Sequence, residues 1–418
     1  MTKHRRKSPR PREWDNGTHR RSFLHHLIRA VPVIVIFTAL TLVLESRGWF
    51  RGFETAMLDT WLILKQAKKP AYVKIVGITN DDYKDLFRGQ SPLDNSILRE
   101  LLRAIAMGQP RVIGVDLDTS SSNLAFEELS HDTSTAWPTI VWARDAILSG
   151  EKIQPLDFLG GRHSGAPSGI AALPQDSDGI VRRYRRIFQA HHGAIDSFPW
   201  AVTKAWCASL ATPHTGPVVT PNNVCGKVGP DSTEADGLKE NVILNFAGDR
   251  YEFGNFPNFL SASVVLSLST KPGWQSQGLF KDKIVLLGGV YRAARDVHVT
   301  PIGAMDGVQL MGHAVESELQ GGGIRDVKKW LLLSFDVLGS VIIVYINYAC
   351  SRRPGLALLL SLAAIPLIAF GASFCTYWTL AYWANVAPTL IAVFIHQLYD
   401  HGRQYLKLYE HFRTAPAR

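Results

Sequence analysis

Runs of about twenty apolar residues are poorly tolerated in water, and three of them crowd the last part of this chain, at residues 330–350, 356–376 and 380–399. Each has the length an α-helix needs to cross a hydrocarbon core of about 30 Å. A fourth window, 30–49, is apolar and uncharged from position 30 to 44. It reads as an uncleaved anchor, because Glu45-Ser46-Arg47-Gly48-Trp49 offers no small-x-small cleavage site. His19-Arg20-Arg21-Ser22-Phe23-Leu24 is similar to a twin-arginine export signal, which chance in a basic tail explains more simply. Between these windows lies 50–328, long enough to bury a core of its own. The mean hydropathy of +0.01 fits such a mixture and excludes both an ordinary soluble protein and a transporter built mainly of membrane helices.

The net charge of +9 is concentrated in short segments. Residues 1–29, the Arg352/Arg353 loop and the tail from Tyr399 hold fifteen Lys/Arg against four Asp/Glu, so the rest of the chain is slightly acidic. By the positive-inside rule both termini and that loop are cytoplasmic, 50–328 is outside, and four transmembrane helices close the parity. Tyr377, Trp378, Tyr382 and Trp383 form an aromatic belt between the last two windows. The basic arm, 1–29, is expected to lie on the lipid membrane, with no nucleic acid as partner. A short helical tail, 400–418, continues the apolar stripe Leu398, Tyr405 and Phe412. Cys350 and Cys375 fall inside apolar windows as small apolar residues. Cys207 and Cys225 lie in 50–328, where an oxidising compartment permits a disulfide; two free thiols are the alternative.

Inside 50–328 the apolar periodicity predicts an amphipathic helix over 50–66, continuing from the membrane. Next comes a strand at Val73-Lys74-Ile75-Val76-Gly77-Ile78, a helix over 95–107 stopped by Gly108 and Pro110, and a strand over 112–118. Strand, helix, strand argues a right-handed crossover, hence an α/β fold with a mixed, largely parallel sheet. Further strands are expected at 139–143, 181–188, 242–246 and 283–289, with helices over 197–208 and 311–319. The run Arg182, Arg183, Arg185, Arg186 reads as a solvated edge strand whose charge deters aggregation, with an anionic ligand as the alternative.

These residues come in the order of a known family. An anchor leads to a helix with Asp59, and Gly108-Gln109-Pro110-Arg111-Val112-Ile113-Gly114-Val115-Asp116 follows the first strand. Asp176-Ser177-Asp178-Gly179-Ile180-Val181-Arg182-Arg183 comes next, then Phe280-Lys281-Asp282-Lys283-Ile284-Val285-Leu286-Leu287-Gly288-Gly289, Asp296, Thr300-Pro301 and Met305-Asp306-Gly307-Val308-Gln309. The chain resembles proteins with the type 2 CHASE domain, a bacterial extracytoplasmic sensory module followed by three closing membrane helices. The resemblance implies a sensor in the bacterial inner (plasma) membrane, working as a homodimer. About twenty residues follow the last window, so output is expected from a separate cytoplasmic signalling or regulatory protein. A structural or assembly subunit of an envelope complex and an unrecognised extracytoplasmic enzyme are the alternatives.

Acidic residues follow several expected strands: Asp81 and Asp82, Asp116 and Asp118, and Asp296 after Gly288-Gly289. Ligands bind beyond the carboxyl ends of parallel strands, so Asp81, Asp116, Asp118 and Asp296 are the candidate ligand-binding residues. Helix and turn capping is the competing role for the same side chains. Asp178-Gly179 and Asp306-Gly307 read as turns. Asp296 and His298 lack a third metal ligand in view. The usual zinc, hydrolase and nucleotide signatures are absent, so no catalytic residue, metal or cofactor is assigned and no enzyme is expected.

Overall fold

A computed structural model describes residues 16–64, 69–120, 137–149, 152–157, 166–191, 193–211, 225, 241–246, 253–350 and 353–388, with 390–391, 393–395, 397–399, 402 and 406 beyond. Half of the basic arm, Arg352 and most of the tail fall outside the described residues. The chain divides into two compact units, one of Met1–Leu58 with Asp326–Arg418 and one of Asp59–Arg325. Helix α1, Asn16–Ser46, ends at a turn in which Gly48 takes φ 74°, and helix α2, Arg51–Leu64, follows. The stretches Ala30–Ser46 and Arg51–Leu64 meet at 79°. The expected continuation from the first helix is therefore made through a sharp bend, at the residue type that tolerates positive φ.

The unit Asp59–Arg325 is built on a wholly parallel six-stranded sheet. Its strands are β1 (Val73–Ile78), β2 (Val112–Asp116), β3 (Thr139–Arg144), β6 (Ser168–Ile170), β11 (Phe259–Ser261) and β12 (Ile284–Gly289), in the order β11-β1-β12-β2-β3-β6. Helices α3 (Asn80–Asp85) and α4 (Asn95–Met107) follow β1. Asp94 caps α4 by accepting the Ser96 N–H at 2.8 Å, and Leu98, Leu101, Leu102 and Ile105 form its buried stripe. Helix α5 is Phe198–Ala211, α6 is Ala262–Ser269 and α7 is Gly307–Leu319.

The central strands read as continuous apolar runs because both faces are covered. Val285 and Leu287 point with Ile113 and Val76 into a core shared with α4 and α6. Ile284 and Leu286 point the other way, into a core with Phe198, Val202, Val308 and Met311 of α5 and α7. Each such side chain, fully buried, stabilises the fold by about 1.5–3 kcal/mol.

The antiparallel part of the expected mixed sheet is segregated into small sheets. Strands β4 (Ala146–Ser149), β5 (Lys152–Pro155), β8 (Ile187–Ala190) and β9 (Gly193–Asp196) form one, in which two antiparallel pairs are joined by a parallel contact of β5 with β8. Strand β7 (Arg183–Arg185) pairs with β10 (Asn241–Ile243), and β13 (Val297–Thr300) with β14 (Gly303–Asp306). Two expectations change here. The 181–188 strand is two strands in different sheets, and the 242–246 strand lies outside the main sheet. Helix α7 starts at Gly307, four residues before the expected 311, so Asp306-Gly307 is a helix start and not a turn. Gln309 Oε1 accepts the Asp306 N–H at 3.2 Å. A Cβ at Gly307 would collide with the Asp296 carboxylate, which explains glycine there.

In the other unit, α8 (Lys329–Ala349) is followed by α9 (Pro354–Leu380). By length and composition two helices, Trp330–Ala349 and Gly355–Leu380, can cross a membrane, or up to three if the bent pair counts as one span. The expected window 380–399 starts differently from its prediction. Helix α9 runs on through Leu380, Ala381 adopts φ 55°, and Tyr382–Trp383 is extended before helical residues resume at Ala387. Several residues of 380–399 lie outside those described.

Candidate functional site

Neighbouring strands β1 and β12 send their chains to opposite faces of the sheet, to α4 on one side and α7 on the other. Such a divergence opens a crevice beyond the carboxyl ends of the strands. Asp116 ends β2 beside it, in register with Gly288 of β12. Its side chain keeps some accessible surface but is densely surrounded, and burial is the first cause pushing its carboxyl up to about 7. Repulsion by Asp296 and Asp145 adds to the shift, and His298 opposes it. Asp296 Oδ1 lies 2.8 Å from His298 Nε2, and burial with the charge of Asp296 raises Asp306.

The sheet thus brings two of the four candidates, Asp116 and Asp296, into one field together with His298 and Asp306. Asp118 is held in its own turn, accepting the Ser120 N–H at 2.9 Å and the Ser120 hydroxyl at 2.6 Å. Its charge is felt by Tyr291, whose phenol is raised first by burial and which stacks on Tyr83 at 4.3 Å. Asp81 is exposed on the first turn of α3. The neighbouring Asp82 is the buried one: it shares a capping box with Thr79 and accepts the N–H groups of Ala262 and Ser263 at 3.2 and 3.1 Å. Among the described residues no group of three His, Cys, Asp or Glu side chains is placed to hold a metal ion. Two polar atoms, His298 Nδ1 and Thr119 Oγ1, are buried without a partner among the described residues. The cluster can therefore take up a proton or accept donors from a cationic group.

Cys207 of α5 and Cys225 are joined as a disulfide, eighteen positions apart. The apolar cleft of ≈ 460 Å³ between α8 and α9, lined by Phe335, Leu338, Ile342, Ile365 and Ile368, holds none of the acidic candidates.

The arginine run departs most from expectation. Alternation does put Arg183 and Arg185 on one side and Arg182, Tyr184 and Arg186 on the other, but the second side is sealed: Arg182 is 1% exposed and Arg186 4%. Arg182 Nε and Nη2 donate to Asp59 at 2.6 and 2.8 Å, and its Nη atoms donate to Asp176 and Asp178 at 2.8–2.9 Å. Arg186 donates to Glu318 at 2.6 and 2.9 Å and to the Gly322 carbonyl at 3.1 Å, and stacks over Trp200 at 5.0 Å. The Tyr184 hydroxyl also donates to Glu318, and burial with that carboxylate raises the phenol well above its ordinary value. Two residues earlier on α7, Glu316 accepts the N–H groups of Ala71 at 2.7 Å and Val73 at 3.0 Å, where the chain enters β1. Burial raises Glu316 in spite of these bonds. A glutamate pair inside an otherwise mostly apolar helix was the sequence signal for this network. His313, between Phe246 and Phe253, is held neutral by burial, at about 3.

With a parallel sheet, a cluster of acids at its strand ends and flanking apolar helices in place, the family comparison is decisive: the family model of the CHASE2 domain matches residues 33–346. The chain belongs to the CHASE2 family. CHASE2 is an extracytoplasmic sensory domain family, and the match runs from α1 through most of α8. Neither a curated protein nor a solved structure matches the chain.

Proposed function

We propose that this CHASE2 protein is a membrane-embedded signal-input protein of the bacterial inner membrane. Its α/β unit senses an envelope stimulus and biases the membrane helices, which signal to a separate cytoplasmic regulatory protein. The observation that carries this reading is the CHASE2 match, which spans the whole α/β unit. The reading places four helices in the membrane, both termini in the cytoplasm, and the Cys207–Cys225 pair on the oxidising side. It assigns no catalysis, and it expects a homodimer, so that helices of two copies move against each other.

In this reading the ligand is cationic or a proton. Asp116 and Asp296 repel each other, and a positive charge between them relieves that repulsion. Asp118 and Asp81 line the same edge of the sheet further out, after β2 and β1. A preference of about 1–2 kcal/mol for one helix arrangement suffices to shift populations usefully.

Alkaline-phosphatase and green-fluorescent-protein fusions test the topology. Phosphatase activity is expected for fusions at 120 and 240, and fluorescence for fusions at 353 and 418. Fluorescence at 240 or phosphatase activity at 418 overturns the layout. Crosslinking in cells, with recovery of a cytoplasmic regulator whose output changes when residues 59–325 are deleted, tests the signalling role.

A further inference from the structure

Four buried ionic groups, Arg182, Arg186, Glu316 and Glu318, attach the incoming and outgoing chain to the α/β unit, and they differ in whether a partner can leave without stranding a buried charge. Glu318 is 0% exposed, and its partners Arg186 and Tyr184 are buried with it. Separating Arg186 from Glu318 leaves a carboxylate out of reach of water, which is strongly unfavourable. Glu316 is equally enclosed and holds the backbone at the start of β1. Both attachments are sealed. At Gly323, φ 67° and a Cβ that would collide with Val242 likewise keep the chain after α7 in a single path.

Arg182 is different. One guanidinium serves three carboxylates: Asp59 on α2, and Asp176 and Asp178 on the turn that precedes β7. Asp59 is 22% exposed, so on leaving it meets water. Arg182 would then keep its Nη contacts to Asp176 and both oxygens of Asp178, and its charge would stay neutralised. The three carboxylates also repel one another, and Arg183 Nη1 lies 3.3 Å from Asp176.

We propose that Arg182 is a shared clasp, from which the Asp59 end of α2 can be released while the cation stays satisfied, making α2 the movable attachment of the sensory unit and leaving β1 and α7 fixed. The clasp gives the sensor reading a moving part and rests on that reading for its purpose, but its physical content stands by itself. It predicts competition: taking away one of the turn's carboxylates makes the guanidinium hold Asp59 harder.

Hydrogen–deuterium exchange of the detergent-solubilised full chain, read by mass spectrometry, tests this. Asp59→Asn is expected to speed exchange in 51–64 about fivefold, as loss of a partly exposed ion pair should, with 183–190 and 307–319 unchanged. Asp59→Glu is expected to restore most of the protection. Asp178→Asn, whose amide oxygen can still accept the Ile180 N–H seen at 3.1 Å, is expected to slow exchange in 51–64. A faster or unchanged rate in Asp178→Asn overturns the clasp, since a purely structural cluster loosens whichever carboxylate is lost. So does an Asp59→Asn protein that exchanges faster everywhere or nowhere. No signalling output is read, so this result and the topology and crosslinking results fail independently.

Discussion

The carboxylates at the end of the parallel sheet and the arginines beside α7 are both withdrawn from bulk water, but they are balanced in opposite ways. Around Asp116 like charges meet: Asp296 and Asp145 push its carboxyl up to about 7 after burial has begun to do so, and a single histidine opposes them. Around Arg186 opposite charges meet in a closed set, with Glu318 and the Gly322 carbonyl taking its donors and the Tyr184 hydroxyl donating to the same Glu318. An unbalanced, partly accessible cluster is destabilised until something positive arrives. A balanced, sealed one is destabilised only if a member is removed. Binding sites are built from the first arrangement and fixed attachments from the second.

Breaking the sealed set should have the largest effect. Arg186→Met leaves Glu318 buried without its cation and is expected to lower unfolding stability by about 3–5 kcal/mol. Denaturant titration of the solubilised protein measures this, and the double variant Arg186→Met with Glu318→Met should recover most of the loss. No loss in Arg186→Met, or no recovery in the double variant, would remove the distinction between the clusters.

The crevice should respond more modestly, and with the opposite sign. Asp116 binds its proton more tightly folded than unfolded, so the folded form loses stability as pH rises from the ordinary carboxylate value of about 4 through about 7. Asp116→Asn removes that loss. It is expected to leave the melting temperature unchanged near pH 4, to raise it progressively toward pH 7, and to hold a constant gain above that. A pH series of melting curves for the two proteins checks the sign. A gain that is the same at pH 4 and pH 8 would mean that charge repulsion is not the cause.

The smallest effect sharpens the contrast from outside. Arg185 stands in the same basic run but faces solvent, where its Nε donates to Asn241 at 2.8 Å. Arg185→Ala should change stability by no more than about 0.5 kcal/mol, because exposed polar contacts contribute little. A loss comparable to that of Arg186→Met would show that position on the strand, and not burial, sets the energetics.

Much of the fold was legible because local patterns carried it. The strand at 73–78 and the helix at 95–107 are found at those bounds, since a buried parallel strand is a short apolar run and a capped amphipathic helix announces both ends. The insertion of β12 between β1 and β2 was not legible. The two strands that sequence order suggests as partners are separated by one that comes about 170 residues later, and apolar runs look alike whichever neighbour they pair with. The site divides in the same way. The acids after the strands marked the crevice, and Asp116 and Asp296 do meet there, while Asp118 and Asp81 are taken up by turn and helix-start positions.

Sequence alone determined the alternation of membrane-length helices with a water-facing α/β unit, the strand-end position of the acids and the CHASE2 likeness, because length, periodicity and residue order are properties of the chain itself. Only the tertiary structure decided that Arg182 and Arg186 are buried. Alternation separates two faces of a strand without saying which one is covered, and here α7 and the Asp59 end of α2 supply the carboxylates from far along the chain. The charge of an arginine is written in the sequence. Whether that charge is solvated, sealed or shared depends on which distant carboxylates the fold brings within 3 Å of it.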